Sequence, residues 1–163
     1  MREAPDAMRV VKPLLKFYRY AWAWENYLLL ARVIRAAWLV RRHLRDRSVS
    51  PRLEAALPAI NALYLPPQPH WQISDSQKIA RFASFIVRFP TGWGRCLQQS
   101  LITYRLLNGY GIPTRLCLGI SQTAPPTNGH AWVTRLSDRG RAFAEAADPR
   151  ERFILIYTSP LPE

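Results

Sequence analysis

The chain has 163 residues, an apolar fraction of 48% and six tryptophans, which suits one domain with a real hydrophobic core and excludes a disordered segment. Two cysteines exclude a disulfide framework, and no Cys/His group has zinc-like spacing, so free thiols in a reducing cytoplasm are expected. Lys and Arg outnumber Asp and Glu by 23 to 11, a formal net charge of +12 that favours acidic partners.

The first thirty residues lack an uninterrupted apolar core followed by a small-residue cleavage site, so no signal peptide is expected. A helical pattern rich in Leu, Ala, Trp and Arg runs from about Leu14 to Leu44. Leu28, Ala31, Ile34 and Trp38 recur on it at spacings of three and four, which places them on one face. Phe17, Tyr18, Tyr20, Trp22 and Trp24 read as packing surface. Arg32 and Arg35 interrupt the apolar stretch from Tyr27 to Leu39 well short of a membrane span. Together with Arg41, Arg42, Arg45 and Arg47 they form the one dense basic group. It carries no recognisable nucleic-acid motif and reads as a solvated helix face, so no nucleic-acid partner is expected.

Arg47 to Ser50 reads as a loop and Pro51 to Leu63 as a short helix interrupted near Pro58. Pro66, Pro67 and Pro69 enforce an extended connection. Ser74-Asp75-Ser76-Gln77 opens the next helix as a capping box, and that helix ends near Arg88, before Pro90. After a turn at Thr91-Gly92-Trp93-Gly94, the spacing of Leu97, Leu101, Tyr104 and Leu107 predicts a helix from Arg95, stopped by Asn108-Gly109-Tyr110-Gly111. Strands are predicted over Thr114 to Ser121, His130 to Leu136, Arg141 to Glu145 and Phe153 to Tyr157, with a turn over Ser137 to Gly140. The expected fold is α+β. An N-terminal helical region, 1–73, packs on a core, 74–163, within one globular domain.

Cys96 falls in the first turn of a predicted helix, where free backbone N–H groups and the helix dipole favour a thiolate and suit an oxyanion. Cys117, inside the apolar run Leu116-Cys117-Leu118, reads as a packing residue. A thiol nucleophile needs a base. His43 lies among arginines and His70 follows a proline-rich loop, so both read as surface residues. His130 opens a strand after a flexible glycine-containing loop and is the plausible imidazole partner of Cys96. Trp93, three residues before Cys96, either shapes the cleft or packs.

The order of Cys on a helix, a strand, His on the next strand and then an acid resembles the transglutaminase-like (papain-like) cysteine proteases. Arg95-Cys96-Leu97-Gln98-Gln99-Ser100-Leu101, Tyr104-Arg105-Leu106-Leu107, Gly111-Ile112-Pro113-Thr114-Arg115-Leu116, Gly119-Ile120, His130-Ala131-Trp132-Val133 and Arg150-Glu151-Arg152-Phe153 narrow the likeness. As a set in this order, over roughly residues 74 to 157, they resemble the stand-alone leader peptidases of lasso-peptide biosynthesis. The resemblance implies removal of a leader peptide from a ribosomally made precursor by a Cys-His-acid triad, with no metal and no organic cofactor. It also implies as partners the precursor, a separate small leader-recognition protein, and a cyclase that closes the ring.

That family ordinarily carries an Asp about a dozen residues after the His, whereas residue 142 here is Ala. Counting back from Arg150-Glu151-Arg152-Phe153 puts Glu145 in the acid's place. With a four-residue loop over Ser137 to Gly140, Leu136 pairs with Arg141. Glu145 then lies opposite Trp132 and diagonal to His130 on the same sheet face. Asp138 would lie in the turn, and Asp148 on the other face. Asp148 as the acid, or no acid at all, are the alternatives. Two other functions fit the same residues: a non-catalytic binding module, and acyl transfer to an amine.

Overall fold

The computed structural model describes residues 24–45, 73–88, 95–123, 128–138 and 141–159. The chain separates into two compact units, Met1–Arg32 and Val33–Glu163, and the sheet and the candidate site belong to the second. The expected helix over Pro51 to Leu63, the proline-rich connection and the turn with Trp93 lie outside the described residues, as do the side chains of His43, Ser74, Asp75 and Asp138.

Helix α1 (Trp24–Arg45) contains neither glycine nor proline. In the second unit it buries Val33, Ala36, Ala37 and Val40, which recur at helical spacing. Ile34 and Trp38, on the face picked out by spacing, are 48% and 58% exposed. Arg41 ties α1 to its neighbours, donating from Nη2 to the Ile86 carbonyl at 3.3 Å and from Nε to Gln98 Oε1 at 3.5 Å. Helix α2 (Ile73–Val87) buries Ser76, Ile79, Ala80, Phe82, Ala83 and Val87. Ser76 Oγ there accepts from Arg135 Nη1 at 3.4 Å.

Helix α3 (Arg95–Gly109) is the central helix, with every residue from Ser100 to Leu106 buried, and Leu107 as well. Its end is set by Gly111, at a φ of +74° that favours glycine, with the Ile112 N–H bonded to the Leu107 carbonyl. Asn108 Oδ1 accepts from both the N–H and the hydroxyl of Thr114 at 2.8 and 2.9 Å, which starts the next strand at a fixed point.

Three antiparallel strands follow: β1 (Thr114–Ser121), β2 (Gly129–Arg135) and β3 (Phe153–Thr158), in the order β2-β1-β3. Leu116 faces Val133, Cys117 faces Trp132 and Gly119 faces His130 across β1 and β2. On the other side Ser121 pairs with Phe153 and Gly119 with Leu155. The small antiparallel sheet and the helices make the expected α+β fold.

The strand expected over Arg141 to Glu145 does not form. Leu136–Asp138 wind into a 3₁₀ turn, so β2 stops at Arg135. Ala142 then bridges Thr134, rather than Arg141 pairing with Leu136, a register one residue from that expected. After the Phe143 N–H meets the Val133 carbonyl at 2.7 Å, the chain turns at Ala144, whose φ of 59° is incompatible with a strand. A second 3₁₀ turn, Pro149–Glu151, leads into β3.

Candidate active site

Cys96 is the second residue of α3, within the turn whose N–H groups have no partner inside the helix. Its Sγ lies 3.9 Å from the Gly129 carbonyl, at the start of β2. A hydrogen bond from the His130 imidazole holds the thiol below its ordinary pKa. Partial burial opposes this, while the backbone N–H groups of Ala131 and Leu97 and the charge of His130 add to it.

His130 is the second residue of β2, directly across the ladder from Gly119. Its hydrogen bond to Cys96, then that to Glu145, push its pKa up to about 9 against the effect of burial. Nε2 lies 3.4 Å from Glu145 Oε1, which leaves Nδ1 as the nitrogen for the thiol. The imidazole also stacks on Phe153, with centroids 5.0 Å apart and planes at 27°, and on Trp132 at 6.0 Å and 20°. Strand pairing builds this arrangement: Trp132 is two residues along β2, while Phe153 opens β3 on the far side of β1.

Gly119 lies on β1 between them. A Cβ there would stand 2.9 Å from both the Ile154 carbonyl oxygen and the Phe153 Cβ, and 3.0 Å from Cη2 of Trp132. Only a glycine lets the two rings close around His130. Gly119, Trp132 and Phe153 all fall within the sequence motifs, but no spacing rule reveals that they act together, because they meet only across the paired strands.

The structure thus brings Cys96, His130 and Glu145 into one cluster, with Glu145 delivered by the Ala144 turn rather than by a strand. Asp148 is engaged elsewhere. Its Oδ1 accepts from the Arg150 N–H at 3.1 Å as the cap of the 3₁₀ turn, and its Oδ2 meets Arg150 Nη2 at 2.6 Å. Cys117 is 5% exposed, with Sγ 3.8 Å from the Thr134 hydroxyl and 4.0 Å from that of Thr158. The two thiols therefore differ as expected: one beside an imidazole, the other sealed in the sheet.

A lowered thiol beside a raised imidazole can exist as a thiolate–imidazolium pair at neutral pH, the state that suits nucleophilic attack on an acyl carbon. The His130 and Glu145 side chains are 24% and 29% exposed, so the cluster is not sealed from solvent.

No helix of the described residues is long and apolar enough to cross a membrane. No curated protein and no solved structure matches the chain. One family model does, described as the transglutaminase-like superfamily, over residues 27–158. This superfamily commonly has cysteine-type peptidase or acyltransferase activity. The match takes in α1 from Tyr27 and runs through the last residue of β3, so it contains every member of the cluster, and the chain belongs to the transglutaminase-like superfamily.

Proposed function

We propose that this chain is a cysteine peptidase that removes the leader from a ribosomally made lasso-peptide precursor. The observation that carries the chemistry is Cys96 at a helix start with its Sγ 3.9 Å from the carbonyl of Gly129, the residue before His130, whose Nε2 lies 3.4 Å from Glu145. In this reading the Cys96 thiolate attacks the scissile carbonyl and the carbonyl oxygen gathers negative charge beside the first-turn N–H groups of α3. Imidazolium His130 gives its proton to the leaving amine, and the amine departs as the C–N bond breaks. Neutral His130 then takes a proton from water, whose oxygen attacks the thioester; the C–S bond breaks, the carboxylic acid product leaves, and Cys96 thiolate and imidazolium His130 are restored. Glu145 orients the ring throughout. No step calls for a metal or an organic cofactor. The leader-peptidase assignment rests on the set of motifs between residues 95 and 153, and the free thiols suit a cytoplasmic setting.

The precursor's leader, a separate small leader-recognition protein and the ring-closing cyclase are the proposed partners. Ile34 and Trp38 are exposed on α1, with the Arg42 guanidinium 5.5 Å from the Trp38 ring centroid, an apolar patch edged by positive charge that suits an acidic partner. If the partner docks there, Trp38→Asp weakens its binding and leaves the Cys96 alkylation rate unchanged; equal binding by both proteins would discard this docking face.

The deciding experiment incubates a candidate precursor and the leader-recognition protein with wild type and Cys96→Ala, with products read by mass spectrometry. The peptidase reading expects two fragments whose masses sum to the precursor plus one water, and none with Cys96→Ala. Fragments carrying an added amine instead of water would move the assignment to acyl transfer. No turnover, with Cys96 unreactive toward a thiol-directed probe, would favour a binding module.

A further inference from the structure

We propose that Ser100 is a positioning residue for the Cys96–His130 pair, gripping β2 on one side of His130 while Cys96 touches it on the other. Cys96 and Ser100 are four apart on α3 and therefore lie on one face of it. The Ser100 hydroxyl donates to the Ala131 carbonyl at 2.8 Å, fully inside the protein, where Ser100 is 6% exposed. The Cys96 sulfur lies 3.9 Å from the Gly129 carbonyl, on the other side of His130. The two neighbours of His130 on β2 are thus each held from one of two successive turns of the helix that bears the thiol.

The direction of these groups supports the assignment. Residues 131 and 133 share an orientation along β2, and the Val133 carbonyl takes its hydrogen bond from Phe143, not from β1. Ala131 likewise turns its N–H and carbonyl to the outer edge of the sheet, where α3 lies. One contact at Cys96 would leave the helix free to pivot about the sulfur; a second, one turn further on, removes that freedom.

Thr103 shows that a hydroxyl on this helix need not reach across. It bonds back to the Gln99 carbonyl at 2.8 Å, the usual local use of such a side chain within a helix. Ser100 instead uses its hydroxyl to span α3 and β2. The two residues are buried alike, at 6% and 4% exposure, and differ in what they connect.

The inference deepens the thiolate reading, and its test separates the two. Wild type, Ser100→Ala and Thr103→Val are compared for the rate of Cys96 alkylation by iodoacetamide against pH, for kcat and KM on a cleavable peptide, and for melting temperature. Loss of the Ser100 hydroxyl moves the alkylation midpoint upward by about one pH unit. It also lowers kcat by about ten- to a hundredfold with little change in KM, as expected when the reacting groups are displaced while substrate binding is left intact. Thr103→Val loses a buried hydroxyl yet keeps the wild-type midpoint, and Ser100→Thr, which retains the donor, shifts less than Ser100→Ala.

A Ser100→Ala midpoint equal to that of wild type overturns the proposal, and so does an equal shift in Thr103→Val, which would show only a generally loosened helix. A wild-type protein with a low alkylation midpoint but no peptide cleavage would sink the peptidase reading and leave the Ser100 result standing, because alkylation needs no peptide. A wild-type Cys96 that alkylates like an ordinary thiol would sink both.

Discussion

Glu145 reaches Nε2 of His130 at 3.4 Å although no strand carries it there. The pairing of the segment with β2 ends one residue after the Ala142 bridge, and Ala144, at a φ of 59°, turns the chain so that the carboxylate faces the imidazole. A positive φ at alanine is an uncommon, costly conformation, and here it lies next to the residue that contacts His130. Glu145→Gln, which keeps the shape and removes the charge, should lower kcat by about a hundred- to ten-thousandfold, in the range of triad acids elsewhere. Asp148→Asn, which alters the cap of the neighbouring turn and the Arg150 ion pair but not the partner of His130, should leave kcat close to wild type. The comparison is a steady-state assay of both variants beside wild type.

The pH profile follows from the two shifted groups. Cys96 loses its proton below the ordinary thiol range, and His130 keeps its own up to about 9. The paired state therefore appears as pH rises through the lowered thiol value and disappears as pH rises through about 9. kcat/KM should accordingly rise on the acid side, hold through neutral pH and fall with an alkaline midpoint near 9. A profile measured on wild type checks this; a fall already centred near the ordinary imidazole value of about 6.5 would contradict it.

Gly119→Ala tests the closeness of the rings. The added methyl would meet backbone oxygen at 2.9 Å and the Trp132 ring at 3.0 Å, so the strands or the rings must separate. Overpacking of this kind costs about 1–3 kcal/mol. Thermal melting should show the loss, and kcat should fall with it because His130 is seated between the displaced rings.

Phe153→Ala removes the nearer ring without adding bulk. Because the hydrogen bond from His130 is the main cause of the lowered Cys96 pKa, loosening the imidazole should also raise the alkylation midpoint. His130 would lose its nearer stacking neighbour, and kcat should fall by about tenfold as the imidazole gains freedom. Measuring both quantities on one variant checks the seat of the base, and a wild-type midpoint with a wild-type kcat would contradict it.

Much of the layout was legible because it is local. Helix periodicity placed α2 and α3 to within a residue or two, and alternation placed β1, β2 and β3. Cys96 and His130 stood out through their positions at the start of a helix and of a strand. The Arg150-Glu151-Arg152-Phe153 motif points to Glu145, whereas the hairpin register expected around it differs by one residue from the observed one, since residues 136–138 coil instead of forming an open turn. The exposure of Ile34 and Trp38 was also hidden, because spacing identifies a helical face and not what covers it. Least legible was the aromatic seat of His130. It joins β2 to β3 across an intervening strand, and the order β2-β1-β3 is a property of the folded sheet.

The placement of Cys117 has a practical consequence. With one sulfur at an open cluster and the other walled in between Thr134 and Thr158, the native protein should consume one equivalent of a bulky thiol reagent and the denatured protein two. Counting the second equivalent as it appears would report opening of the sheet directly, with no dye and no engineered label.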